Sequence, residues 1–186
     1  MTVLRPFIRG NLNFMTYQFK NITVLIVDSQ PAIVELIKGV LTMFGVKNIV
    51  ACTDGKSGLE AFKECKPDFM IIDWDLDTIN GIEFTKTVRR DPVNPYAPII
   101  FTTALSSGRR VTEARDSGIT EFLRKPFTAE SLFKRIETIV EKPRLFVNSD
   151  GFVGPDRRRK RDESFKGDDR RGKEDEKREK WVLDID

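Results

Sequence analysis

Apolar residues in this chain alternate between short unbroken runs and longer stretches in which they recur every three or four positions. The unbroken runs are rich in β-branched side chains and are typical of strands buried on both faces of a sheet. The periodic stretches are typical of helices that cover such a sheet. The predicted strands are Ile22–Val27, Asn48–Cys52, Phe69–Ile72, Pro98–Phe101 and Ile119–Leu123, and the predicted helices are Ala32–Phe44, Lys56–Cys65, Ile82–Arg90, Arg109–Ser117 and Thr128–Val140.

Strand and helix alternate five times in this pattern. That order predicts an α/β fold in which a doubly wound parallel sheet of five strands carries helices on both faces. We assign the fold to residues 22–141 and treat residues 1–21 as an N-terminal extension, which lacks the continuous apolar stretch of a signal peptide. Ligands of such sheets bind at the carboxyl ends of the strands, so the residues there are the first to inspect.

The helical and strand patterns stop at Pro143, and residues 142–186 are predicted to be a charged, flexible tail. Residues 151–186 hold 12 Lys or Arg and 11 Asp or Glu with few apolar side chains, a composition that cannot build a core of its own. The motif Phe-x-Gly-x-Asp-Arg-Arg occurs twice, at 152–158 and 165–171, and both copies are interpreted as short docking elements. We therefore expect the tail to assist the folded domain without forming a second one.

The predicted strands end in side chains of complementary chemistry. Asp28 and Asp73 follow two of the strands, while Thr103 and Lys125 follow two others. Converging carboxylates favour a hard divalent cation such as Mg²⁺, and a carboxylate beside that cation can attack phosphorus. A hydroxyl and an ammonium group can then hold the oxygens of the phosphoryl product.

Four segments of the chain resemble the signature segments of bacterial response regulator receiver domains, in the same order. They are VLIVDSQ (24–30), MIIDWDLDTINGIEF (70–84), IIFTTA (99–104) and FLRKPF (122–127). The resemblance covers roughly residues 22–141 and implies a flavodoxin-like fold of five strands. The tail also resembles the GPDRRR-type tails of some stand-alone, chemotaxis-type receivers.

The resemblance implies a role for each residue at the strand ends. Asp73 would be the phosphorylated residue, with Thr103 and Lys125 as the catalytic hydroxyl and ammonium groups. Thr103 and Phe122 would form the switch, and the Lys125-Pro126 peptide bond would be cis.

The implied metal site consists of Asp28, Asp73 and Asp75, the last acting through its backbone carbonyl, with Mg²⁺ as the cofactor. Ser29 departs from the family pattern, because a second acidic residue is usual after the first strand. A hydroxyl is a poorer Mg²⁺ ligand than a carboxylate, so weaker metal binding is expected. Asp77 stands where proline is common.

These features predict a phosphorylation-dependent switch of a two-component system and no enzymatic activity on a separate substrate. The expected partners are a histidine kinase or phosphotransfer protein and a downstream protein, with self-association left open. One alternative is a phosphorylation-independent pseudo-receiver that serves as a protein-binding module. Another is a weak nucleic-acid binder using the basic run Arg157–Arg161, although neighbouring acidic residues nearly cancel its charge.

Composition narrows the chemistry further. The chain has no histidine, so any phosphohistidine must belong to a partner, and its net charge of +3 over 186 residues gives no general reason to bind DNA or membranes. The cysteines Cys52 and Cys65 are too few for a disulfide framework, which fits a reduced, cytoplasmic protein.

Overall fold

The computed structural model describes residues 19, 21–104, 108–149, 152–156 and 177–180, and for residues 177–180 it describes the backbone alone. In chain order the elements of the receiver-like part are β1 (Thr23–Val27), α1 (Pro31–Met43), β2 (Asn48–Cys52), α2 (Gly55–Cys65), β3 (Phe69–Asp73), α3 (Gly81–Arg90), β4 (Ile99–Thr103), α4 (Gly108–Ser117), β5 (Glu121–Arg124) and α5 (Ala129–Glu141). Each lies within about two residues of its predicted position.

The five strands form one parallel sheet in the order β2-β1-β3-β4-β5. This order is that of the flavodoxin-like doubly wound sheet, so the predicted fold class is confirmed. The order also brings the carboxyl ends of β1, β3, β4 and β5 side by side, which is the edge where sequence reasoning located the chemistry.

Helices cover the sheet on both faces, and a separate apolar core lies beneath each layer. One core joins side chains of β1 to those of α1 and α5, among them Ile26, Ile37, Leu41, Leu132 and Ile136. The other joins β3 and β4 to α2, α3 and α4, among them Phe62, Met70, Phe84, Phe101 and Ala114. Because both faces are buried, every residue of β3 and β4 is buried, which explains their unbroken apolar sequences. No helix in the described part of the chain is long and apolar enough to span a membrane.

The chain after α5 differs from the predicted flexible tail. Strand β6 (Leu145–Ser149) pairs antiparallel with β7 (Phe152–Pro155) on one side and with β8 (Lys177–Lys180) on the other. We call residues 144–149 and 152–156, which contain β6 and β7, the strap. The second motif copy and Arg157–Arg161 lie outside the described residues.

The strap packs on the receiver through Phe146. This side chain is 1% exposed, and its ring contacts Tyr96 edge to face with ring centroids 5.7 Å apart. Arg89, at the end of α3, lies over the same ring with its guanidinium carbon 5.2 Å from the centroid. The prediction of a wholly flexible segment from residue 142 is therefore wrong for the strap, because three neighbouring apolar residues, Leu145–Val147, are too few to show a period in the sequence.

We expect Phe146→Ala to lower the free energy of unfolding by about 2 to 3 kcal/mol, at or just below the low end of the range for a buried aromatic residue. The loss is limited because the strap can separate from the receiver instead of leaving a cavity. Urea denaturation followed by circular dichroism measures it. Met43→Ala is the control, since Met43 is 81% exposed and should cost under about 0.5 kcal/mol. Equal stability of the two variants would show that the strap does not pack on the receiver.

Candidate functional site

The sheet brings three of the predicted site residues into direct contact at the carboxyl ends of its strands. Asp28 follows β1, Asp73 ends β3 and Lys125 follows β5. The Lys125 Nζ atom lies 2.7 Å from Asp28 Oδ2 and 3.0 Å from Asp73 Oδ2. One ammonium group therefore bridges two carboxylates that come from different strands.

This ion cluster is almost entirely shielded from solvent. The side chains of Asp28, Asp73 and Lys125 are 1%, 5% and 10% exposed, respectively. Removing either the ammonium group or the carboxylates would leave the remaining charge buried without a partner. Water hardly reaches this site, so the loss of folding stability would be large. The Lys125-Pro126 peptide bond is cis, as the family resemblance implied.

The second oxygen of Asp28 is also occupied. Asp28 Oδ1 accepts a hydrogen bond of 2.9 Å from the backbone N–H of Gln30, two residues further on. That bond fixes the turn between β1 and α1, and it leaves Ser29 exposed between its two ends. The orientation of the carboxylate is thus set by the local backbone and by Lys125 together.

Burial is the main influence on the ionisation of Asp73. Desolvation raises the pKa of its carboxyl group above the ordinary value, and the charges of Asp28 and Asp75 raise it further, while the hydrogen bond and charge of Lys125 lower it. Such a balance is typical of groups tuned for chemistry.

The start of α3 packs so closely on the backbone of Asp73 that position 81 has no space for a side chain. A Cβ atom on Gly81 would lie 2.7 Å from the Asp73 carbonyl oxygen, so only glycine fits where α3 begins. The Asn80 side chain caps that helix by accepting from the Glu83 N–H at 3.0 Å. Sequence reasoning did not single out this pair, although Asn-Gly before an apolar period is a recognisable helix start.

The two predicted switch residues lie on the neighbouring strands. Thr103 ends β4 and is fully buried, and its carbonyl accepts the backbone N–H of Lys125 at 2.7 Å. Phe122 lies on β5, pairs in register with Phe101 of β4 and is partly buried against the second core. Thr103 is therefore linked to Lys125 by this backbone hydrogen bond, and Phe122 lies on the strand that leads to Lys125.

The residues proposed to hold a metal meet only in part. The side chains of Asp75 and Asp77 are exposed, and no group of three or more acidic, cysteine or histidine side chains that could hold a metal occurs among the described residues. Two converging carboxylates and a backbone carbonyl still suit Mg²⁺, because this ion commonly keeps several waters and takes one or two protein carboxylates. Asp28 and Asp73 thus fit a partly hydrated divalent cation.

Comparison with known proteins agrees with the fold. The sequence matches the response regulator receiver domain family over residues 24–137, and the chain belongs to this family. It is 30% identical to the chemotaxis protein CheY-3 of Vibrio cholerae over 123 residues, which are 66% of this chain and 95% of that protein. It is 31% identical to the chemotaxis protein CheY of Pseudomonas aeruginosa over 119 residues, which are 64% of this chain and 96% of that protein.

Solved structures show the same similarity. The chemotaxis response regulator CheY4 of Vibrio cholerae superimposes with a TM-score of 0.61 at 28% identity, covering 64% of this chain and 98% of that one. A response regulator from Chloroflexus aurantiacus gives a TM-score of 0.60 at 29% identity, covering 63% and 96%. Receiver domains and their chemotaxis relatives work in two-component phosphoryl transfer, so the chain is a signalling protein of that kind. The strap lies beyond the family match.

We expect Lys125→Met to lower the free energy of unfolding by about 3 kcal/mol, because it leaves two buried carboxylates facing each other without a cation. Adding Asp28→Asn should recover part of this loss, since the double variant then holds a single carboxylate. Urea denaturation of the two single variants and the double variant measures the coupling. Lys134→Met is the control: its exposed ion pair with Glu130, at 2.8 Å, should contribute under about 1 kcal/mol. Additive losses at Lys125 and Asp28 would contradict the bridged arrangement.

Proposed function

We propose that this protein is a phosphorylation-dependent switch in which Asp73 accepts a phosphoryl group from a partner histidine kinase or phosphotransfer protein. The observation that carries the proposal is the buried cluster of Asp73, Asp28 and Lys125 at the carboxyl edge of the sheet. The chain has no histidine, so the phosphohistidine donor belongs to the partner. An Asp73 carboxylate oxygen attacks phosphorus, the bond from phosphorus to the donor nitrogen breaks, and an acyl phosphate forms.

Lys125 contributes to this transfer as a fixed positive charge. Its ammonium group already contacts Asp73 Oδ2, the atom beside which the new phosphoryl oxygens would gather. A fixed charge at that position stabilises the negative charge that develops during transfer, and it needs no rearrangement to do so. Asp28, Asp73 and the carbonyl of Asp75 would hold Mg²⁺, which supplies further neutralisation of the phosphoryl oxygens.

The output of the switch would travel through Thr103 and Phe122. Thr103 is buried at the end of β4, next to the acceptor strand, and a new anion at Asp73 offers its hydroxyl a strong acceptor. A shift of Thr103, which is in register with Arg124 of β5, would be passed along β5 to Phe122 and hence to the face formed by α4, β5 and α5. A downstream protein that prefers one arrangement of this face would then read the phosphorylation state.

A phosphorylation-independent binding module is the second candidate. It is favoured by two observations: Ser29 replaces the usual second acidic residue, and Lys125 already balances the carboxylates that a metal would neutralise. In that case the α4-β5-α5 face would bind its partner without a change of state. Phosphorylation and metal titration separate the two candidates.

We expect Asp73→Asn to abolish labelling when the protein is incubated with Mg²⁺ and acetyl phosphate, because an amide cannot replace the attacking carboxylate. Intact-protein mass spectrometry detects the added phosphoryl group. Asp75→Asn is the matched control, since Asp75 is exposed and its proposed role uses the backbone carbonyl, which the substitution keeps. Labelling of Asp73→Asn at the wild-type level, or no labelling of the wild type, would overturn the proposal.

We expect Ser29→Asp to tighten Mg²⁺ binding by about tenfold, because it adds an anionic oxygen beside Asp28. Trp74 is the natural reporter for a Mg²⁺ titration, since it follows Asp73 directly and packs edge to face on Phe101 with ring centroids 5.7 Å apart. Asn48→Asp is the control for a general increase in negative charge, because Asn48 is exposed at the amino end of β2, the opposite edge of the sheet from Asp28. Unchanged or weaker affinity in Ser29→Asp would contradict the assigned effect of Ser29.

A further inference from the structure

The connection between α4 and β5 is held at its base by groups that lie outside both elements. Arg89 of α3 donates from Nε to the Gly118 carbonyl at 3.0 Å. The strap reaches this region twice: the Val153 carbonyl lies against Gly118, and Arg144 forms an ion pair of 3.0 Å with Glu121, the first residue of β5. Two contacts therefore fall on the connection itself and a third falls on the start of β5.

Gly118 shows how closely the strap approaches. Its φ of +99° lies in the left-handed region, and a Cβ atom there would be 2.6 Å from the Val153 carbonyl oxygen. Backbone thus packs on backbone, and the end of α4 cannot move towards the strap without displacing it.

The buried charge of Arg89 works against closure of the strap. Its guanidinium group is buried under the Phe146 ring and donates to the carbonyls of Gly118, Pro95 and Ala97 at 3.0, 2.7 and 2.8 Å. Its Nη2 atom has no hydrogen-bond partner in the part of the chain that the structure describes. Burying a cation without a carboxylate costs free energy, and this cost offsets part of the gain from burying Phe146.

Desolvation alone lowers the pKa of Arg89 to about 9, which still leaves the group charged at neutral pH. Opening the strap would return water to this charge. Closure is therefore the result of two opposed effects, and an equilibrium of this kind can be shifted by modest changes elsewhere in the domain.

The elements under the strap are also those that border the acceptor. Helix α4 follows Thr103 after β4 and ends at Ser117, directly before the clamped Gly118. Strand β5 starts at Glu121, which pairs with Arg144, and leads to Lys125, which contacts Asp73. Each element thus has one end at the phosphoacceptor edge and the other end beneath the strap.

We propose that the strap is a clamp on the connection between α4 and β5 that favours the unphosphorylated arrangement, so that release of the strap and phosphorylation of Asp73 promote each other. This inference rests on the function proposed above. Coupling between two sites is reciprocal, because both act on one equilibrium. Weakening the strap therefore speeds phosphorylation, and phosphorylation loosens the strap.

The first test compares initial rates of phosphorylation by acetyl phosphate and Mg²⁺ in the full-length protein. We expect Phe146→Ala to raise the rate about fivefold or more, the lower limit of typical coupling between sites. Val40→Ala is the control of comparable destabilisation, since Val40 is buried in the other core, between α1 and the sheet, and contacts neither strap nor acceptor. Its rate should match the wild type. If Phe146→Ala fails to fold, Arg144→Gln removes only the ion pair with Glu121 and should raise the rate in the same direction.

The second test measures hydrogen exchange in β6 and β7 before and after phosphorylation of the wild type. We expect exchange to become about fivefold or more faster in the phosphorylated protein. A labelled protein whose rate is unaffected or slowed by the strap variants, or whose strap exchange does not change, would overturn the clamp while leaving the proposed function intact. A wild type that accepts no phosphoryl group would overturn the proposed function and the coupling together.

Discussion

The contact on which the site depends is the bridge that Lys125 makes between two buried carboxylates, Asp28 and Asp73. The bridge joins the ends of β1, β3 and β5, which are brought near one another only when the sheet has its observed order. Without the ammonium group of Lys125, the two buried carboxylates would have no cation to compensate their charge, and burying both would be strongly unfavourable. The same ammonium group would also stabilise an anion placed at this edge, which is the basis of the function proposed above.

The receiver-like part of the fold could be predicted closely because its signals are local and repeated. Buried parallel strands such as β3 have unbroken apolar sequences, and α1 and α5 show clear helical periods. The site could be predicted for the same reason: residues directly after strands of a doubly wound sheet must lie at one edge. What the pattern could not give was the pairing, in which one ammonium group, that of Lys125, contacts both carboxylates.

The strap was not predictable because its stability comes from the receiver and not from its own sequence. Phe146 belongs to an apolar run of only three residues, and it packs on the surface formed by Arg89 and Tyr96. The burial of Arg89 could not be predicted from the sequence either. This residue precedes Arg90 and Asp91 at a helix end, where an arginine normally faces solvent, and nothing local distinguishes it from its exposed neighbour.

The buried arginine and the bridging lysine stand in contrasting electrostatic environments at opposite ends of α4 and β5. Lys125 is compensated by two carboxylates, so its position is firmly set. Among the residues that the structure describes, Arg89 has carbonyl oxygens and an aromatic ring as partners, which stabilise a cation less well than an anion does. In the clamp proposed above, the two ends would remain coupled through α4 and β5. A change at the phosphoacceptor end would then appear mainly as movement at the strap end, where the buried charge is less well compensated.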